Sequence, residues 1–149
     1  TYLPLLPKYD QRIRDLAILC PVVDNKSCGS IPGEESNEQW MRAMSDDGYH
    51  HLYRGILDPV WTKHLAGGDE LSPMNNIKYL ENARLFIGHG LKDQIVHYSK
   101  SVSYYEQILQ TFPDRNDQFV LKIYEEGGHD KTTTNLGIAD FLKWIGPGI

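Results

Sequence analysis

Three compact apolar runs, at residues 14–24, 84–89 and 119–124, constrain the fold of this chain more than any other feature. Each run is rich in aliphatic and aromatic side chains and is bounded by charged or turn-forming residues. A continuous apolar run of this length, without polar alternation, is typical of a strand that is buried on both faces. Such strands belong to parallel sheets that are covered by helices. The sequence therefore predicts three parallel core strands.

Two segments in the second half of the chain show apolar residues at helical spacing. In the first, before Pro113, these residues are Val102, Tyr105, Leu109 and Phe112, with Ser103 and Glu106 as a candidate capping box. In the second, they are Leu136, Ala139, Leu142 and Ile145, with Thr134 or Asn135 as candidate cap and Gly146 and Pro147 as a stop. We expect an amphipathic helix in each segment.

A long insertion follows the first apolar run. Residues 25–37 are polar and rich in turn formers, which predicts a surface loop. From residue 38 to residue 65, aromatic and aliphatic residues recur at steps of three to five, broken by glycine and proline, which predicts two or three short helices. Strands and helices thus alternate along the chain. This alternation predicts an α/β fold in which right-handed crossovers join parallel strands.

Length and charge exclude several classes of function. The chain has 149 residues, which is enough for one domain. Its 15 Lys and Arg against 20 Asp and Glu give a net charge of −5, so we expect neither a nucleic acid nor an anionic membrane as partner. No apolar run approaches the roughly 18 residues of a membrane span, and the first residues do not resemble a signal peptide. We expect a soluble chain, with its compartment unassigned.

Cysteine and histidine usage gives no sign of a metal site. Cys20 and Cys28 are too few for a disulfide framework or a zinc pair, although a single bridge across their short loop stays open. None of the six histidines stands in HxxxH or HExxH spacing. They are His50, His51, His64, His89, His97 and His129. We therefore expect no bound metal and no cofactor.

Two glycine-rich loops follow the second and third apolar runs, and each carries a residue suited to catalysis. Asp93 follows the first of these strands within Gly-His-Gly-Leu-Lys-Asp, and His129 follows the second within Glu-Glu-Gly-Gly-His. Neighbouring parallel strands lie about 4.8 Å apart and end at the same edge of a sheet, so the two side chains are expected to meet. A carboxylate and an imidazole so paired are the acid and base of a nucleophilic triad.

The order of short motifs along the second half of the chain resembles a known family. The motifs are Ser72-Pro73, a strand ending in His89-Gly90, then Asp93 with Val96 close behind, and finally Gly128-His129. Together they are similar to the C-terminal signature of the α/β-hydrolases, and within them of the prolyl-oligopeptidase-like serine hydrolases. The resemblance covers about residues 14–146. It implies a serine hydrolase, peptidase or esterase, in which Asp93 and His129 are the catalytic acid and base.

One element of the family pattern is missing. The nucleophile of these enzymes lies in a Gly-x-Ser-x-Gly elbow, and no serine of this chain has that frame. Because the triad order is serine, acid, histidine, the resemblance implies that the serine, the oxyanion hole and earlier strands precede Thr1. We therefore expect residues 1–149 to be the C-terminal part of one catalytic domain, with a helical cap or lid at about residues 36–70 and an N-terminal segment or chain as partner.

Two further interpretations remain open. The pair Asp130-Lys131 after His129 departs from the small or aromatic residues more usual in the peptidase-like members, which loosens the subfamily assignment. The chain could also belong to a catalytically inert relative that acts as a binding module, although an inert protein has no chemical need for Asp93 and His129.

We interpret His89 as a structural residue at a strand end, outside the catalytic group.

Overall fold

A three-stranded parallel sheet forms the centre of the described part of the chain. The structure is a computed structural model, and it describes residues 3–23 and 72–146. The strands are β1 (Asp15–Leu19), β2 (Arg84–Gly90) and β3 (Phe119–Tyr124), in the order β1-β2-β3. Both pairings are parallel, and they place Ile18 beside Ile87 and Ile87 beside Leu121. The predicted α/β class, with parallel strands and flanking helices, is confirmed.

Helices cover both faces of this sheet. The α-helices are α1 (Leu6–Tyr9), α2 (Ser99–Thr111) and α3 (Lys131–Ile145), and short 3-10 helices span Leu3–Leu5, Pro73–Leu80 and Pro113–Gln118. On one face, Leu85 and Ile87 of β2 belong to a core that also contains Tyr104 and Ile108 of α2. On the other face, Phe86 contacts the rings of Phe141 and Trp144 in α3. β2, buried from Leu85 to Gly90, is the centre of the core.

The first strand is shorter than the apolar run that predicts it. β1 ends at Leu19, because Cys20 adopts a positive φ of 44° and Pro21 has no N–H to donate to a neighbouring strand. The chain beyond it still belongs to the core. Val23 is buried, and its carbonyl accepts a hydrogen bond from the Ser72 hydroxyl at 3.1 Å.

Helix α2 buries a different face from the one that the apolar spacing predicts. Its fully buried residues are Ser101, Tyr104 and Ile108, one position before the predicted stripe, while Tyr105, Leu109 and Phe112 pack at the margin of the core. The predicted capping box is also wrong. The helix begins at Ser99, so Ser103 lies within it, and its N-cap residue Tyr98 makes no side-chain cap.

Helix α3 begins earlier than predicted. Asp130 is its N-cap, and one carboxylate oxygen accepts the backbone N–H groups of Thr132 and Thr133 at 2.9 and 3.1 Å. Thr134 and Asn135, the predicted caps, therefore lie inside the helix. Its buried positions are Thr133 and Gly137, whereas Leu136 and Leu142 of the predicted stripe are exposed.

The absence of a side chain at Gly137 lets α3 approach β1 closely. A Cβ at Gly137 would overlap the side chain of Leu19. This helix therefore packs on the sheet through Gly137, Phe141 and Trp144 rather than through the predicted stripe. Several sequence predictions lie outside the described residues: the loop at 25–37, the helices at 38–65, the cap or lid at about 36–70, and Cys28. Within the described ranges, no helix is both long and apolar enough to cross a bilayer.

Substitution of the N-cap residue tests the observed start of α3. Asp130→Ala removes the acceptor for two backbone N–H groups and should lower the free energy of unfolding by about 1 kcal/mol, measured by urea denaturation. Asp130→Asn keeps an acceptor and should cost a fraction of that. The matched control is Asn135→Ala, at one of the positions that the sequence predicts as cap. A loss in Asn135→Ala that equals the loss in Asp130→Ala would contradict the observed start of the helix.

Candidate active site

Backbone hydrogen bonds join the two loops that leave β2 and β3. The N–H of Leu91 donates to the carbonyl of Tyr124 at 2.9 Å, and the N–H of Lys92 donates to the carbonyl of Gly127 at 2.8 Å. The parallel pairing of the two strands thus continues beyond their ends, as far as the residues that carry functional side chains. These bonds fix the spacing between the Asp93 loop and the His129 loop.

The close approach of the two loops requires glycine. A Cβ at Gly90 would lie 2.5 Å from the carbonyl carbon of Gly127 and 2.6 Å from the carbonyl oxygen of Gly128, too close for any real side chain. The Gly-rich sequences that predict sharp turns after both strands therefore have a more specific role. They let one backbone pass directly over the other, so that the side chains beyond can meet.

Asp93 is held from inside its own loop. Its Oδ1 accepts the backbone N–H groups of Ile95 and Val96, both at 2.8 Å. The residue is only 4% exposed. A buried carboxylate is costly unless hydrogen bonds compensate it, and these two donors supply compensation without using its second oxygen. Oδ2 is thereby left for side-chain partners.

The structure brings together the two residues that the sequence singles out. Nδ1 of His129 lies 2.8 Å from Oδ2 of Asp93, and this contact joins the loop after β2 to the loop after β3. The histidine side chain is 39% exposed, whereas the carboxylate is fully buried. No described residue makes a hydrogen bond with Nε2, the other ring nitrogen of His129. The imidazole thus has one nitrogen fixed by a carboxylate and one available to a further group.

The start of α3 fixes the backbone on both sides of His129. On one side, the Gly128 carbonyl accepts the hydroxyl of Thr133 at 2.7 Å. On the other side, Asp130 caps the helix. His129 also lines an open groove of about 320 Å³. The groove residues are Leu19, Cys20, His129, Asp130, Lys131 and Thr134. A substrate that enters this groove would have access to the imidazole.

A third residue, His89, belongs to this group, although sequence analysis left it out. It is fully buried, and its Nε2 lies 2.7 Å from the Val96 carbonyl and 3.2 Å from Oδ2 of Asp93. Its Nδ1 lies 2.7 Å from the Ser101 hydroxyl. The interpretation of His89 as a structural residue at a strand end agrees with its contact with the Val96 carbonyl. His89 and Asp93 are four residues apart in the sequence. This spacing brings their side chains together only because the loop after β2 folds back on itself.

Cys20 borders the same site from the end of β1. Its thiol is free and donates weakly to the Gly128 carbonyl at 3.6 Å, and burial raises its pKa to about 11. Sγ, an oxygen of Asp93 and a ring nitrogen of His129 lie within 4.8 Å of one another, a set that could in principle ligate a metal. Both oxygens of Asp93 are already occupied by hydrogen-bonding partners, so the arrangement is better suited to orienting the imidazole than to coordinating an ion.

The charge state of Asp93 follows from two opposing effects. Burial acts to raise the pKa of its carboxyl group, but hydrogen bonds from the Val96 N–H, the His129 ring and the Ile95 N–H outweigh that effect. The pKa of Asp93 therefore lies below its usual value. Asp93 is a carboxylate at neutral pH. A buried negative charge that contacts an imidazole stabilises the protonated form of that ring.

Comparison with protein families identifies one family that matches most of the chain. The model of the prolyl oligopeptidase family matches residues 32–146, a range that contains both Asp93 and His129. No curated protein matches the chain.

The lowered pKa of Asp93 makes a prediction about acid stability. As the pH falls, the unfolded chain takes up this proton first, near the ordinary aspartate pKa of about 3.9, while the folded chain resists it. The stabilisation is therefore fully present above about pH 5 and is lost as the pH falls through the folded-state pKa. Urea denaturation from pH 7 downwards should show a shallower loss in Asp93→Asn than in the unsubstituted protein. Equal slopes would contradict the assignment.

Proposed function

Because the chain belongs to the prolyl oligopeptidase family, a family of α/β-hydrolases, we propose that it supplies the acid and the base of a Ser–Asp–His triad. The reaction is the transfer of an acyl group from a peptide or an ester to water. The observation that carries this proposal is the 2.8 Å contact between Nδ1 of the half-exposed His129 and Oδ2 of the buried Asp93. It joins an imidazole that solvent can reach to a fixed negative charge.

Each residue of the pair has a defined role in this chemistry. His129 accepts the proton of the serine hydroxyl at Nε2 as the serine oxygen attacks the acyl carbon, and then gives that proton to the leaving group. Asp93 holds the Nδ1–H and stabilises the imidazolium that forms in both steps. In the second half of the reaction, His129 takes a proton from water as the water oxygen attacks the acyl carbon, and then returns that proton to the serine oxygen as its bond to the acyl group breaks.

We propose that the serine comes from a segment that precedes Thr1. No serine of the sequence lies in a Gly-x-Ser-x-Gly elbow, and in this fold the nucleophile comes before the acid and the histidine. Three described serines also have other partners close to their hydroxyl groups. Ser72 contacts the Val23 carbonyl, Ser99 contacts His97, and Ser101 contacts His89. The same upstream segment would carry the oxyanion hole, and residues 1–149 would be the C-terminal part of the catalytic domain.

Turnover by the protein with its upstream segment tests the roles of the pair. His129→Ala should abolish hydrolysis of peptide and ester substrates. Asp93→Asn should lower kcat by about 10⁴-fold, the loss measured for that change in a serine protease triad, because the wrong imidazole tautomer is then favoured. The matched control is His97→Ala, since His97 contacts Ser99 rather than Asp93 and should keep most of the activity.

Labelling with a fluorophosphonate identifies the nucleophile in the same preparation. A serine upstream of Thr1 should be modified, and His129→Ala should suppress its modification. Modification of a serine within residues 1–149 would contradict the proposed placement of the nucleophile. An unlabelled and inactive protein would favour the alternative of an inert binding module. A comparison of rates on peptide and ester substrates then distinguishes a peptidase from a carboxylesterase.

A further inference from the structure

His89 is a fully buried titratable side chain of the site, and the triad chemistry assigns it no step. It lies near the end of β2, on the face of the sheet that packs against α2. Its two ring nitrogens contact different elements. Nδ1 contacts the Ser101 hydroxyl of α2 at 2.7 Å, and Nε2 contacts the Val96 carbonyl of the Asp93 loop at 2.7 Å.

The partners of His89 determine its tautomer. A carbonyl oxygen can only accept a hydrogen bond, so Nε2 must carry the proton that is donated to Val96. Nδ1 is then an acceptor, and the Ser101 hydroxyl donates to it. Burial lowers the pKa of His89, which agrees with a neutral ring. A neutral His89 ring adds no positive charge beside Asp93.

Val96 links this histidine to the catalytic carboxylate. Its carbonyl accepts from His89, and its N–H donates to Oδ1 of Asp93 at 2.8 Å. The N–H of His89 that donates to Val96 also lies against the second carboxylate oxygen, because Nε2 is 3.2 Å from Oδ2. The His89 ring thus constrains both oxygens of Asp93, Oδ1 through Val96 and Oδ2 directly. Ser101 of α2 holds the His89 ring in turn.

We propose that His89 is a positioning residue, which fixes the Asp93 carboxylate through Val96 so that Oδ2 faces Nδ1 of His129. This inference rests on the proposed function, because it describes how the acid of that triad is held. His89 itself exchanges no proton with substrate. Its contribution is to keep the Asp93–His129 hydrogen bond at a length and orientation that allow His129 to act as a base.

Three variants of the protein with its upstream segment separate this role from ordinary packing. His89→Leu removes the donor to Val96 and should lower kcat by about 10- to 100-fold with little change in KM. A hydrogen bond that supports a buried charge contributes a free energy equivalent to that loss of rate. His89→Gln places an amide N–H near the position of Nε2 and should restore most of the rate. Ser101→Ala removes the hydroxyl that donates to Nδ1, so the tautomer of His89 is no longer fixed, and kcat should fall by about 2- to 10-fold.

A spectroscopic readout reports on the same geometry without substrate. The Nδ1 proton of His129, shared with Asp93, should give a low-field NMR resonance in the unsubstituted protein. We expect His89→Leu to broaden or shift this resonance and His89→Gln to preserve it. His97→Leu is the matched control, because His97 lies on the same segment and contacts Ser99 and the ring of Tyr98 rather than Asp93 or His129. It should leave both kcat and the resonance unchanged.

The outcomes separate this inference from the proposed function. If Asp93→Asn and His129→Ala lose activity while folded His89→Leu and Ser101→Ala keep the full rate and the resonance, the positioning role is wrong and the triad stands. If His89→Leu fails to fold, Ser101→Ala and His89→Gln decide. The proposal would be overturned if Ser101→Ala keeps the full kcat and His89→Gln loses about 10- to 100-fold in kcat, as expected for His89→Leu. If Asp93→Asn and His129→Ala keep their activity, the proposed function itself fails.

Discussion

The site depends on the backbone hydrogen bond between the N–H of Lys92 and the carbonyl of Gly127, made where two loops pass each other beyond the sheet. That bond can form only because Gly90 presents no side chain to Gly127 and Gly128. The parallel pairing of β2 and β3 is thereby carried past the strand ends. Asp93 comes three residues after Gly90, and His129 comes directly after Gly128, so the contact between their side chains follows from the contact between their backbones.

The surrounding residues stabilise the negative charge of Asp93 at this contact. Asp93 keeps its negative charge in a buried position because two backbone N–H groups bind one oxygen and side chains approach the other. The histidine is held differently, by the start of α3 on one side and by Asp93 on the other, and its ring remains open to the groove. A rigid acid beside an accessible base is the arrangement that general base catalysis requires.

The sequence was sufficient to predict the sheet and the contact between Asp93 and His129, because both depend on local signals. Continuous apolar runs identify β2 and β3, and glycines after each strand indicate where functional side chains emerge. The helix faces were harder to predict. A serine is usually a surface residue, but Ser101 contacts the buried His89, and Tyr104 and Ile108 on the same helix face lie in the core instead of the predicted stripe. Asp130 caps α3 in place of Thr134 or Asn135 because its carboxylate accepts the N–H groups of Thr132 and Thr133, and apolar spacing alone does not indicate at which residue a helix begins.

The most direct test of this account is a crystal structure of the protein with its upstream segment, inhibited by a fluorophosphonate. We expect a phosphonylated serine from the segment before Thr1, with its oxygen about 3 Å from Nε2 of His129 and with Nδ1 still bound to Asp93. A modified serine within residues 1–149, or a modified upstream serine to which His129 presents no ring nitrogen, would contradict it.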